Sequence, residues 1–184
     1  MLGMTKNKIK AQAIESWLLH MAAGDTEALA LLYEATKAAL YGFVLSIIRN
    51  PHTAEDVLQE TFIKAFLSAP LYRPMGKPMA WLLTIAKNQA RMKLREKAGQ
   101  ALPLEPEHLP SASDDTERVL DRLTLQTALT MLGEEERQIV MLREVSGLKF
   151  KEIAALLELP LATALSKHRR ALSKLKTRLK EEAR

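Results

Sequence analysis

Asp56 and Glu60 stand four residues apart, with Glu55 beside them and Gln59 between. On a helix that spacing puts both carboxylates on one face. There they could hold a metal ion or act as a general acid and base. Nothing else in the chain completes such a centre. The four histidines, His20, His52, His108 and His168, are scattered. There is no HExxH, no glycine-rich phosphate loop and no ordered Ser–His–Asp set. The absence of cysteine excludes a disulfide frame and a thiolate metal site. Two other readings of the pair stand: acids that favour a helix N-terminus, and a docking surface for a partner's basic helix. No cofactor and no metal ion are expected.

The cations are more informative. Lys87, Arg91 and Arg95 recur every four residues and share a helix face, with Asn88 beside it. The preceding segment supplies Tyr72, Arg73 and Lys77. An aromatic ring flanked by cations suits single-stranded DNA: the ring stacks on a base and the cations hold the backbone. The plainer reading is a solvated helix face, with Trp81, Ile85 and Leu94 pointing into a core. A second cationic stretch closes the chain. Residues 161–180 hold Lys167, Arg169, Arg170, Lys174, Lys176, Arg178 and Lys180 and no acid. This exceeds what the dipole of a helix C-terminus favours. Residues 150–157 form a shorter apolar helical stretch, and Glu158-Leu159-Pro160 separates the two. Two short helices with a tight junction, the second cationic, predict a helix-turn-helix whose second helix enters a DNA major groove.

The elements that carry these residues all read as helices. Ile14, Leu18 and Met21 line one side of a helix over 11–21, and Gly24-Asp25 ends it. Asp25 or Thr26 can cap the next, which runs over 27–49 and is apolar enough to be a central core helix. Asn50-Pro51 stops it. Thr53 with Asp56 three residues on predicts a capped start to a helix over 53–67. Residues 68–77 form a loop by their Pro and Gly, and Pro78 suits the first turn of a helix over 78–97. Further helices are predicted over 117–132, 134–145, 149–157 and 161–180, punctuated by Gly133, Gly147 and Pro160. No segment alternates with period two. The fold class is all-α.

Charge and proline divide the chain. Residues 1–98 carry 13 cations against 8 acids, and 118–184 carry 14 against 9. Between them, residues 99–117 hold five acids and no cation, with Pro103, Pro106 and Pro110. Two small helical domains, 1–98 and 117–184, joined by a flexible acidic linker over 99–116, are therefore expected. The net charge of +5 favours a polyanionic partner. The N-terminus has cations without a following apolar core, and the longest apolar run, 38–48, is short of a membrane span. A cytoplasmic protein is expected.

In order along the chain, AEDVLQETFIKAF (54–66), AWLLTIAKNQARMKLR (80–95) and the closing LGEEERQIVMLREVSGLKFKEIAALLELPLATALSKHRRAL resemble the sigma-70 family of bacterial transcription initiation factors, in its extracytoplasmic-function group. Gly24-Asp25 with Tyr33 resembles the family's opening helix. The resemblance implies a non-enzymatic subunit that binds core RNA polymerase, directs it to promoters and assists DNA melting. Asp56, Gln59, Glu60 and Phe62 would meet the clamp helices of the largest polymerase subunit. Tyr72, Arg73, Lys77 and Asn88 would lie near an extruded base of the −10 element, with Lys87, Arg91 and Arg95 on phosphates. Thr163, Leu165, Ser166, Arg169 and Arg170 would face the −35 element, and Lys167 and Lys174 its backbone. The acidic linker would lie in the RNA exit channel, and an anti-sigma factor would be a further partner. Met92, Leu165, Glu158 and Leu29 depart from the pattern. Glu158 replaces a turn glycine, so the junction forms without positive φ or with strain. The competing reading is a stand-alone regulator with a LuxR-like helix-turn-helix.

Overall fold

The computed structural model describes residues 2–99 and 131–182. Among them every regular element is helical. Helix α1 (Leu2–Ala22) ends at Gly24, whose φ of +91° only glycine adopts without strain. Asp25 caps α2 (Thr26–Ile48), its carboxylate accepting from the N–H groups of Glu27 and Ala28. Helix α3 (Pro51–Ser68) begins two residues earlier than the Thr53 motif predicts. Asn50 caps it instead, its Oδ1 accepting from the Thr53 N–H at 2.8 Å, and Pro51 occupies the first turn. Thr53 is buried, and its hydroxyl accepts from Lys97 Nζ. A short 3₁₀ turn, Ala69–Leu71, leads to the loop before α4 (Pro78–Gly99).

Helix α5 (Glu134–Val140) starts after Gly133, whose N–H is accepted by the Glu136 carboxylate. It continues as a π turn over Met141–Val145, closed by the Ser146 N–H on the Met141 carbonyl. Helix α6 (Phe150–Leu157) and helix α7 (Leu161–Glu182) follow. Their junction takes the strained alternative. Glu158 sits at φ 60°, ψ 39°. The Leu159 N–H reaches back to the Ala154 carbonyl and the Glu158 N–H to the Ala155 carbonyl, the bond pattern that ends a helix on a left-handed residue. In that position a residue with a Cβ costs about 1–2 kcal/mol. Gly99, expected to open the linker, still belongs to α4; the rest of the expected linker over 99–116 and most of the expected helix over 117–132 lie outside the described residues.

Helix α2 is central, as its composition predicts. It is long and apolar enough to cross a membrane by length and composition, but Leu32, Leu40, Phe43 and Val44 are wholly buried in the fold. Against them pack Ile14, Leu18 and Met21 of α1, Ala54 and Val57 of α3, and Leu82, Leu83, Ala86 and Ala90 of α4. The inward set on α4 differs from the expected one. Small Ala86 and Ala90 face the core, whereas Trp81 and Ile85 are half-buried and Leu94 is exposed. The same apolar cluster continues through Ile139, Leu142, Leu148, Ile153 and Leu156, so the helices after residue 131 pack directly on those before residue 100. Gly42 lies against the end of the Met141 side chain, which would have to shift to admit a Cβ there. Beside it the buried Arg137 donates from Nε to the Ser46 carbonyl at 3.2 Å. Burial lowers the Arg137 pKa.

Candidate nucleic-acid interface

The loop between the 3₁₀ turn and α4 borders an open cavity of about 250 Å³. Leu71, Tyr72, Arg73, Met75, Lys77 and Trp81 line it. Tyr72, Arg73 and Lys77 are thus brought together as the spacing suggests, and Trp81 joins them. The Tyr72 ring is buried and meets Trp81 edge-on, with centroids 5.1 Å apart. It forms a wall of the cavity rather than a free stacking face. Its hydroxyl donates to Glu15 of α1 at 2.7 Å, and the Gly76 N–H donates to the same oxygen at 3.1 Å. One carboxylate therefore fixes both ends of the loop. Burial, then the Glu15 contact, pushes the Tyr72 pKa well up, so the phenol keeps its proton to donate. Glu15 gives no local sequence signal, because its partners lie about sixty residues away. Leu71 and Met75 are the most exposed apolar side chains of the mouth.

Helix α4 carries the cationic stripe from this cavity. Asn88, Arg91 and Arg95 are exposed, as expected of a nucleic-acid face. Lys87 departs from the expectation. Its side chain is only 7% exposed. Nζ donates to the Leu156 carbonyl at 2.5 Å and to Glu158 Oε1 at 2.6 Å. Arg91 Nη1 lies 3.6 Å from the same Glu158 oxygen. The four-residue spacing does place Lys87, Arg91 and Arg95 on one face, but α6 covers the first of them.

On α3, Asp56 and Gln59 are exposed and Glu60 is partly so, with Lys93 of α4 3.8 Å from its carboxylate. No His, Cys, Asp or Glu cluster among the described residues could hold a metal ion. Phe62 is not the projecting group that the resemblance implies. It is 5% exposed and tilts against Tyr33, with centroids 4.8 Å apart. The two rings floor a groove of about 340 Å³ that Leu29, Ala30 and Ile63 also line. Ile63 and Leu67 project instead, and both are well exposed. Positions 56, 60, 63 and 67 form one helical stripe, a signal the sequence did carry.

Helix α7 buries Ala164, Ala171 and Leu175 and turns Leu165, Arg169 and Arg170 outward. Thr163 is half-buried, and its carbonyl accepts from the Ser166 hydroxyl. Lys167 and Lys174, expected on the DNA backbone, are here paired within the fold. Lys167 meets Glu135 at 2.8 Å and Lys174 meets Glu136 at 2.7 Å. The Lys174 hydrogen bond holds the Glu136 carboxyl below its usual range, against the opposing effect of burial. His168 lies between Phe150 and Glu144 and fastens α7 to α6 and the π turn. The outward stripe offered to a groove is therefore Leu165, Arg169 and Arg170.

Relatives of known family share this arrangement. Residues 32–100 match sigma-70 region 2, and residues 122–175 match sigma-70 region 4. An ECF RNA polymerase sigma factor SigK from Mycobacterium sp. (strain KMS) is 31% identical over 173 residues, 86% of each chain. RNA polymerase sigma factor CarQ from Myxococcus xanthus is 33% identical over 162 residues, 86% of this chain and 92% of that one. Among solved structures, the sigma factor RpoE in complex with the anti-sigma factor NepR from Bartonella quintana superposes with a TM-score of 0.67 at 25% identity, covering 80% of this chain and 94% of that one. CnrH in complex with the cytosolic domain of CnrY gives 0.64 at 23% identity, covering 92% and 98%, and shares the fold. With both regions matched in order and relatives aligned along most of their length, the chain belongs to the sigma-70 family, in its extracytoplasmic-function group.

Proposed function

We propose that this chain is a dissociable, non-enzymatic subunit of RNA polymerase that brings the core enzyme to promoters by reading a −35 and a −10 element and holding the latter open. The observation that carries this reading is the pairing of two unlike DNA surfaces on one molecule. The cavity beside Trp81 has room for a single unstacked base and is lined by Arg73 and Lys77, with the exposed Arg91 and Arg95 farther along α4. The Leu165–Arg169–Arg170 stripe suits duplex DNA. Unpairing a base costs a few kcal/mol, and stacking with phosphate contacts offsets it. Arg reads guanine in the major groove, and Leu165 suits a thymine methyl. Residues 1–98, 99–116 and 117–184 act as −10 domain, acidic linker and −35 domain. The α3 stripe of Asp56, Gln59, Glu60 and Ile63, with its aromatic floor, docks on the polymerase. The similar sigma factor captured with the anti-sigma factor NepR supports an inhibitor of that kind as a further partner, in the cytoplasm. The test is reconstitution: purified chain with core polymerase should co-elute and support promoter-specific run-off transcription. Specific duplex binding by the chain alone, with no association with core, would overturn the reading in favour of a stand-alone regulator.

A further inference from the structure

Glu158 and Arg49 are the non-glycine residues with positive φ among those described. Glycine would occupy the Glu158 turn without steric cost. Strained backbone of this kind persists where surrounding contacts hold it, and it is a pointer to a role for the side chain. The Glu158 side chain reaches out of its own helix pair to α4. It accepts from Lys87 Nζ at 2.6 Å and lies 3.6 Å from Arg91 Nη1. Lys87 Nζ also donates to the Leu156 carbonyl, one of the last-turn acceptors that α6 cannot satisfy internally. A helix C-terminus and a carboxylate thus converge on one buried ammonium. Beside them the Gly42–Met141 contact and the Arg137 bond to Ser46 close the same interface.

We propose that the α6–α7 corner is the resident ligand of α4's DNA-facing cations: Glu158 stands in for promoter phosphate at Lys87 and Arg91 and adds to the apolar contacts that keep the free chain closed. The inference rests on the function proposed for α4. A closed chain cannot read a promoter. Elements at −35 and −10 lie about 25 base pairs apart, or about 85 Å at roughly 3.4 Å per pair. Glu158 is three residues before α7, yet its carboxylate touches α4. The two readers therefore meet at one corner, and the chain has to open to span the site. Opening frees Lys87 and Arg91 together, so the act that separates the domains also creates the −10 phosphate surface. The Glu158 end of the pair is suited to release, because its carboxylate is 71% exposed while Lys87 is only 7% exposed, so water and salt reach the acid and screen it. A run of DNA phosphates beside a polymerase surface outcompetes one carboxylate.

The chain has no cysteine, so Ser16→Cys and Ser173→Cys, both at exposed positions, give a clean pair of spin labels. Pulsed electron paramagnetic resonance on the free labelled chain should show one short, narrow distance. Glu158→Gly removes the carboxylate and relieves the turn. It should populate a longer distance at least about threefold more than the parent chain without lowering the melting temperature. In reactions with limiting core polymerase, the same variant should raise promoter-dependent transcription by a similar factor, with the gain vanishing at high salt. Glu158→Gln keeps the side-chain length, removes the charge and should open the chain in the same direction. Superimposable distances in all three proteins would overturn the proposal, as would opening without any gain in transcription. Because distances are read without polymerase or DNA, failure of the parent chain to transcribe at all would count against the proposed function and leave the closed form to be judged by the distances.

Discussion

Glu15 is the residue whose removal best separates the base cavity from the rest of the molecule. It accepts from both the Tyr72 hydroxyl and the Gly76 N–H. Glu15→Ala leaves the phenol without its partner, at a cost of about 1–3 kcal/mol, and releases the loop. Promoter melting, read as permanganate reactivity of −10 thymines, should fall severalfold, while association with core polymerase stays near the parent level because α3 is untouched. Glu15→Gln, which can still accept, should restore much of the loss. Glu136 makes a prediction about acid. Lys174 holds its carboxyl below the ordinary value of 4.5, so the folded chain keeps the charge more readily than the unfolded one. The stability this supplies is fully present above pH 4.5 and is lost as the pH falls through the depressed value. Lys174→Met should flatten the decline of melting temperature with acid over that window, by an amount that thermal melts at a series of pH values would show.

At the scale of the element, α3 has two sides with different consequences. Phe62 is core, and Phe62→Ala should cost about 3–5 kcal/mol of stability. Ile63 and Leu67 are exposed. The pair Ile63→Glu and Leu67→Glu should leave the melt unchanged and weaken binding to core at least tenfold by titration. The bounds of most helices were legible because the signals are local. Asp25, Pro78, Gly133, Gly147 and Pro160 act on their immediate neighbours. The apolar stripe Ile14, Leu18, Met21 needs only its own helix to be recognised. The start of α3 was missed because Thr53 competes with Asn50 as a cap, and the Asn50-Pro51 pair places the cap ahead of the first turn. The π turn over Met141–Val145 has no punctuating residue, and tertiary packing on α2 sets it. For the site, residue type was legible and partner was not. Lys87, Lys167 and Lys174 look alike in sequence, but each finds an acid from a distant element. Only packing separates them from Arg169 and Arg170.

Among the described residues one apolar cluster runs through α1–α4 and into α5 and α6, and a second, of Leu132, Val140, Ala171 and Leu175, holds α7. Gly42 meets Met141 beside the first cluster, where the two halves of the chain touch. Gly42→Leu suits a helix but puts a branched side chain where the Met141 methyl sits, so Met141 is displaced and the contact between the halves weakens. Calorimetry should show the single unfolding transition of the parent splitting into two, one for each half of the chain. The charge pattern predicts two basic units and carries no sign that the helices on either side pack together, because the residues that join them, Gly42, Met141 and the apolar side chains from Ile139 to Leu156, look like any local core in the sequence. The central claim is that one chain carries a duplex reader and a single-strand reader that work only with polymerase. The most direct measurement is permanganate and nuclease footprinting of a pool of bacterial promoter fragments with core polymerase, with and without this chain. The account predicts protected duplex upstream and reactive, unpaired thymines about 25 base pairs downstream of it, about 85 Å along the DNA, only when both proteins are present. Identical footprints with the chain alone, or protection without unpaired thymines in the complete mixture, would contradict it.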